Sequence, residues 1–223
     1  MSGSDIVAAL RGRHERSAQP SSKLLVATID AINETLQAQA LEQTLVAYFG
    51  ACLSPLERTD ASTDPDAAAA LCTVLTTVLR HMPATHIRAK SRLVFGILCS
   101  AFKQLQGAEH ILGEKAAMQC LAQVLRYPDV SSGWAGSTEP FLLLAKTAMS
   151  DAPKLRKVAA DGLVEVMATL NATSAHEPAC AELVSCAFLY HFVQLPWLDV
   201  QCAITGCHAN AQSWPTHRRL RVP

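Results

Sequence analysis

The sequence predicts an all-α protein built from stacked helix pairs, and three observations lead to this fold class. Aromatic residues make up only 5% of the chain, which favours helix over sheet on intrinsic propensity. Apolar stretches alternate with short breaks of Pro, Gly, Ser, Asn and Asp, and none shows the two-residue alternation of a strand. Half of the 223 residues are apolar, enough to bury a core without disulfides or metals. We expect about eight helices in a superhelical repeat, an α-solenoid.

The first residues are predicted to form a flexible basic arm over 1–21. Arg11, Arg13 and Arg16 stand there among Ser, Gly and Gln without a sustained apolar period. Helical patterning starts after Ser22 and continues to about residue 193. The helical repeat domain is therefore placed at 22–193.

Three helices are predicted before Pro83, which cannot continue a helix. They are 22–38, 39–53 and 66–82. A linker is expected from Ser54 to Asp66, because this stretch holds two prolines and four acids. The third helix starts where that linker ends.

The fourth helix, 85–106, has a wide apolar face. Its apolar residues at helical spacing are Val94, Ile97, Leu98, Ala101, Phe102 and Leu105. Leu93 and Phe95 widen this arc, whereas Arg88, Arg92 and Lys103 fall on the opposite side. A wide arc predicts contacts with more than one neighbouring helix, as inside a stack.

Four more helices are expected after this one. They are 110–126, 139–149, 153–169 and 177–193. Pro140 and Pro153 suit first turns, and Gly162 allows a close backbone approach within an apolar stripe. The pattern fails from Gln194 on, so 194–223 is predicted to be an unpatterned tail. It is either an unrelated terminus or the end of a truncated or mis-spliced chain, and no function is assigned to it.

The cysteines and the overall charge exclude several classes of protein. The eight cysteines form no CxxC pair and mostly sit in apolar helical stretches, so we expect reduced core residues. A signal sequence and an apolar run of about 20 residues are both lacking, so we expect an intracellular chain with no membrane partner. The formal net charge of zero excludes a uniformly basic nucleic-acid binder. Any basic surface must be local.

Helix pairs of about 40 residues are typical of HEAT or armadillo repeats. The segment from Asp151 to Ala159 has the acidic cap, the proline start, the arginine and the small residue of a HEAT second helix. Asp151 and Arg156 are therefore predicted to form a ladder of hydrogen bonds and charge pairs between successive repeats. Ligand binding by these two residues is the less favoured interpretation.

Three segments resemble the N-terminal part of the ribosomal RNA-processing protein twelve family, large HEAT-repeat proteins of the nucleolus. They are His86 to Leu93, the Cys120 to Leu125 helix with the loop Ser131 to Trp134, and Pro153 to Ala159. The likeness covers 22–193 and carries no catalytic residues. It implies a nuclear and nucleolar factor that joins precursors of the small ribosomal subunit and contributes to their maturation and export. Its implied partners are pre-ribosomal RNA and ribosome-assembly or export proteins.

Members of that family are several times longer than this chain. The resemblance therefore implies that the chain is an N-terminal fragment or a short paralogue.

The best candidate binding face lies between Arg80 and Gly107, where the chain has a local charge of +5 and no acid. Its cations are Arg80, Arg88, Lys90, Arg92 and Lys103. Such a face neutralises phosphates and releases counterions, which gives salt-dependent RNA affinity. The alternative is a solvated helix side whose charges pair with acids such as Asp64 and Asp66.

A second, weaker patch comprises Lys154, Arg156 and Lys157. These cations stand in the first turns of the predicted helix 153–169. Lys157 and Asp161 are four residues apart on this helix, so the alternative is a simple ion pair between them.

Metal binding and catalysis find little support. The nearest metal-ligand cluster, Cys202, Cys207 and His208, matches no common zinc spacing, and Cys180 and Cys186 are six residues apart and do not stack. No GxSxG, GxxxxGK[ST], HExxH or GxGxxG motif occurs. We therefore expect no metal, cofactor, small-molecule substrate or enzymatic activity.

Two single residues receive structural interpretations. His191 is taken as a core residue rather than a base, because it lies on an apolar helix face. Trp134 is expected to dock onto the stack rather than to remain exposed as a contact, because it has a large area to bury.

Two functions are carried forward. The leading one is a non-enzymatic ribosome-assembly scaffold that touches ribosomal RNA through basic stripes. The alternative is a HEAT adaptor of the nuclear-transport or general scaffold type that holds a peptide or helix. RNA affinity falls steeply with salt, whereas protein-only binding largely survives moderate salt.

Overall fold

The structure is a computed structural model that describes residues 2–58, 60–107, 110–127 and 136–171, and these contain eight α-helices and no strand. The helices are α1 (Gly3–Glu15), α2 (Pro20–Ala38), α3 (Leu45–Arg58), α4 (Pro65–His81), α5 (Ala84–Gly107), α6 (Ile111–Leu125), α7 (Thr138–Thr147) and α8 (Pro153–Asn171). The predicted all-α class is confirmed. The predicted helix 177–193 and the tail 194–223 lie outside the described residues.

The helices up to Val166 form one compact unit, and they are arranged in two layers. Within the first layer α1 packs on α3, α3 on α5 and α5 on α7; within the second, α2 packs on α4 and α4 on α6. Consecutive helices such as α3 and α4, or α5 and α6, pair across the layers. Each helix pair therefore buries its apolar faces against the pairs before and after it, as in a repeat array.

The core lies between the two layers. Its largest fully buried side chains in α4 to α6 are Leu75, Leu79, Ile87, Leu98, Phe102, Leu105, Met118, Leu121 and Leu125. All six apolar residues predicted for the α5 face are buried, and so is Phe95. Leu93, however, is 50% exposed, so its predicted place in the arc was wrong. It stands nine residues from Phe102, which is about 180° around the helix.

Residues 3–15, predicted as part of a flexible arm, form helix α1 instead. Ser2 and Asp5 make a capping box, in which each side chain accepts a hydrogen bond from the other's backbone N–H, at 3.2 and 2.9 Å. The apolar side chains that α1 buries are Ile6, Val7 and Leu10. Arg11 donates from Nε to Asp30 Oδ1 of α2 at 2.8 Å. The helical array therefore begins before residue 22, the predicted domain boundary.

Gly3 gives a direct test of how α1 is held. A Cβ at this position would lie 2.6 Å from the carbonyl carbon of Thr44 and 2.7 Å from the backbone of Gln43 and Leu45. These are backbone atoms at the end of the loop before α3 and at the first residue of α3, so they cannot simply rotate away. We expect Gly3→Ala to lower the free energy of unfolding by about 1–3 kcal/mol, measured by urea denaturation.

Gly12 is the matched control in the same helix, because a Cβ there would meet nothing within 4 Å. Gly12→Ala should raise the free energy of unfolding by up to about 1 kcal/mol through helix propensity. If both substitutions raised it, α1 would not be docked on the loop.

Helix α3 differs from its prediction at both ends. It starts at Leu45 rather than at residue 39, after Ala40 in the left-handed region (φ 52°) and after Thr44, whose Oγ1 accepts from Ala47 N–H at 3.2 Å. It then continues through Pro55, although the linker was expected to start at Ser54. Pro55 lacks the N–H for one helical hydrogen bond, and buried Leu56 holds the last turn on the core.

Polar contacts join neighbouring helix pairs. Tyr48 donates to Asn33 Oδ1 at 2.6 Å between α3 and α2, and Gln123 donates to Glu165 Oε2 at 3.0 Å between α6 and α8. The ladder predicted for Asp151 and Arg156 was misplaced. Arg156 donates to the carbonyl of Ser150 at 3.2 Å, within its own pair, and Asp151 is exposed.

Candidate nucleic-acid interface

The predicted cations of α5 are all exposed, but they do not share one side of the helix. At 3.6 residues per turn, Arg88, Arg92 and Lys103 lie within about 60° of one another. Lys90 lies about 160° from Arg92, at the other border of the exposed side. The structure therefore brings together three of the four cations, which we call the α5 basic edge: Arg88, Arg92 and Lys103. Arg80 is exposed at the end of α4.

The α5 basic edge lies beside an open groove of about 380 Å³ between α5 and the start of α7. The described residues that line it are Arg92, Phe95, Gly96, Cys99, Gly136, Glu139 and Pro140. The guanidinium of Arg92 lies close to the backbone of Gly136, since a Cβ there would be 3.5 Å from Arg92 Nε. The groove thus has an arginine at its rim, while buried Phe95 and Pro140 contribute apolar surface.

Among the described residues, one acid forms an ion pair with this edge, and it comes from the next helix pair. Lys103 Nζ donates to Glu139 Oε1 at 2.7 Å, and the two side chains are 60% and 67% exposed. The hydrogen bond from Lys103 to Glu139 raises the pKa of the lysine, which keeps it charged. Burial, followed by the charge of Glu139, raises the pKa of the Cys99 thiol to about 11. The groove therefore offers cations and a protonated thiol, which suits charge recognition rather than nucleophilic chemistry.

The alternative, in which these cations pair with acids, holds for Lys103, but its partner is Glu139. Asp64 and Asp66, the two acids named as examples, make other contacts. Asp64 caps α4, where its Oδ1 accepts from Ala67 N–H at 3.0 Å. Asp66 Oδ1 lies 2.7 Å from Nε2 of His110 at the start of α6. Neither carboxylate forms an ion pair with the α5 basic edge.

The second predicted patch lies on the first turns of α8. Lys154 and Lys157 are exposed, whereas Arg156 is half-buried and donates to the Ser150 carbonyl. In the described part of α8, no ion pair joins Lys157 to Asp161, which was the simple alternative for this patch. Two lysines of the patch thus face solvent, and its arginine has a structural role.

The cysteines within the described residues behave as core residues. Cys52, Cys72, Cys99 and Cys120 are free and buried, as predicted for reduced core cysteines. A hydrogen bond with Cys120, together with burial, raises the pKa of the Cys72 thiol, and burial raises that of Cys52. The thiols of Cys52 and Cys72 therefore stay protonated, which disfavours both metal ligation and attack on a substrate.

Several predicted features lie outside the described residues. These are Trp134, Cys180, Cys186, His191, Cys202, Cys207 and His208. Among the side chains that are described, no group of three or more His, Cys, Asp or Glu is placed to hold a metal ion. No helix in the same ranges combines the length and the apolar character needed to cross a bilayer.

Comparison with known proteins agrees with this architecture. A family model described as RRP12-like, N-terminal HEAT repeats, matches residues 1–197. The match confirms the predicted HEAT class, and it includes α1, which the sequence analysis had placed outside the repeat domain. No curated protein and no solved structure gives a significant match.

Proposed function

Since the chain belongs to the RRP12-like family of N-terminal HEAT repeats, we propose that it is a non-enzymatic scaffold of ribosome biogenesis. It acts in the processing of small-subunit precursor RNA and in the assembly and export of pre-ribosomes. Its partners are pre-ribosomal RNA and ribosome-assembly or export proteins, and it works in the nucleus and nucleolus. Membership in a family of ribosome-biogenesis factors supports this assignment.

The α5 basic edge is the main evidence that the chain contacts RNA. Arg88, Arg92 and Lys103 share one side of an exposed helix, in a stretch from 80 to 107 without a single acid. Arg and Lys on one side of a rigid element neutralise successive phosphates and release their counterions. Lys154 and Lys157 of α8 add a second, smaller contact. Lys90 and Arg156 are less suited to it, because one faces away from the edge and the other holds a carbonyl.

The test is binding of a fluorescent single-stranded RNA, followed by anisotropy between 50 and 200 mM salt. Three phosphate contacts predict a slope of about −2 for the logarithm of affinity against the logarithm of salt concentration. The triple reversal Arg88→Glu, Arg92→Glu and Lys103→Glu should weaken binding by about 100-fold or more.

The control is a triple reversal with the same change of net charge on other exposed cations: Arg16→Glu, Lys23→Glu and Arg58→Glu. It should weaken binding by much less, and circular dichroism should show both variants to be helical. Equal losses in the two triple variants would contradict a local RNA site. A partner that stays bound at 200 mM salt and with the α5 basic edge reversed would instead favour the protein-binding adaptor.

The biogenesis role has its own test, which is sedimentation of the tagged chain in a gradient of nuclear extract. We expect the chain to sediment with precursors of the small subunit. The α5 triple reversal should shift the chain towards the top of the gradient, where free protein remains. A chain absent from these precursors in wild-type form would contradict the role.

A further inference from the structure

We propose that the groove between α5 and α7 seats a segment of single-stranded RNA, and that Glu139 is an internal competitor that occupies Lys103 until a phosphate displaces it. This inference rests on the proposed function and adds to it a gating residue and a place for the strand. It is based on the ion pair between exposed Glu139 of one repeat and Lys103 of the preceding repeat.

The carboxylate of Glu139 occupies the place at Lys103 where a phosphate would bind. It is the one carboxylate among the described residues that line the groove, and it binds Lys103 at 2.7 Å. Carboxylate and phosphate oxygens accept the same charge-assisted hydrogen bonds from an ammonium group. Both side chains are mostly exposed, so their pairing is weak and an incoming phosphate can replace it.

The spacing of the α5 basic edge favours a polyanion as the occupant. Arg88 and Lys103 are 15 residues apart, so the edge extends over about 22 Å at 1.5 Å per residue. A nucleic-acid strand carries a charge at every nucleotide and can meet all three cations. An acidic peptide would need carboxylates at matching positions, which makes it the less favoured occupant.

The groove itself suits a base better than a second anion. Phe95, which is 3% exposed, and Pro140 line this open groove, and its volume of about 380 Å³ leaves room for a base beside them. Single-stranded RNA is held by a combination of this kind, in which cations track the backbone and apolar or aromatic surface receives bases.

The decisive variant is Glu139→Gln, which keeps the size of the side chain and removes the charge. We expect it to bind single-stranded RNA about fivefold more tightly at 100 mM salt, because Lys103 no longer has to leave a carboxylate. The salt dependence should change by less than about 0.7, the value of one phosphate contact on a single strand, because Lys103 meets a phosphate in both proteins. Glu34→Gln removes another exposed carboxylate, from α2, and should change affinity by less than about twofold.

Lys103→Gln completes a double-mutant cycle. If Glu139 acts by covering Lys103, its neutralisation should give little gain when Lys103 is already Gln. An equal gain in both backgrounds, or equal effects of Glu139→Gln and Glu34→Gln, overturns the gate while leaving RNA binding by the wild type intact. Absence of wild-type RNA binding overturns the proposed function itself. Polyglutamate that competes as well as RNA of equal charge overturns RNA as the occupant.

Discussion

Phe102→Ala is expected to lower the free energy of unfolding by about 3–5 kcal/mol, among the largest losses for a single substitution in this chain. Phe102 is fully buried in α5, the helix that packs on α3, α6 and α7. Truncation removes the transfer free energy of the ring and leaves a cavity that close-packed neighbours fill only in part. A typical domain has a total stability of about 5–15 kcal/mol, so the loss should be plain in a urea denaturation curve at 25 °C.

Leu93→Ala is the matched control for this prediction. Leu93 belongs to the same helix, is 50% exposed and points to the opposite side. Its truncation should cost less than about 1 kcal/mol, since Ala also has the better helix propensity. Similar losses for the two variants would mean that the buried face of α5 has been placed wrongly.

The contrast between these two residues shows what periodicity can and cannot predict. Six apolar positions of α5 repeat at helical spacing, so the pattern identifies the buried face without any tertiary information. Leu93 was wrongly assigned to the buried face because it is apolar and is next in sequence to Val94, which belongs to that face. Its angle around the helix, rather than its hydrophobicity, decides its exposure.

Helix α1 could not be predicted by the same means. Its buried set is short and stands among arginines, so residues 1–21 looked like a solvated arm. The contacts that hold it are tertiary: Gly3 fits against the backbone at 43–45, where α3 begins, and Arg11 pairs with Asp30. Local helix propensity predicts a helix poorly where tertiary contacts of this kind supply its stability.

The candidate interface was only partly accessible from the sequence. The absence of acids between 80 and 107 identified the cations, and helical geometry separates Lys90 from the other three. Glu139, however, is 36 residues from Lys103 and belongs to the next helix pair. No pattern within one helix predicts a partner that is brought close by the stacking of repeats. The same limit misplaced Arg156, whose nearest acceptor is a backbone carbonyl.

The stacking of α8 on α6 leads to the second large effect, because Gly162 stands where these helices approach closely. A Cβ at 162 would lie 2.8 Å from the Cβ of Ala122 and 3.7 Å from Leu144 Cδ1. The Ala122 methyl group has no rotamer to adopt, so a larger residue at 162 must push the helices apart. We expect Gly162→Val to lower the free energy of unfolding by about 3 kcal/mol, measured by urea denaturation.

Gly50→Val is the same substitution in α3, at a position where a Cβ meets nothing within 4 Å. It should be neutral or slightly stabilising, which separates the steric cost at 162 from the change of helix propensity. Ala122→Gly removes the methyl group that the valine would strike. In the double variant it should therefore recover more than about 1 kcal/mol relative to the sum of the single effects. If the two changes in the free energy of unfolding simply added, α6 and α8 would not meet at these two residues. The packing of α8 against α6 described above would then be wrong.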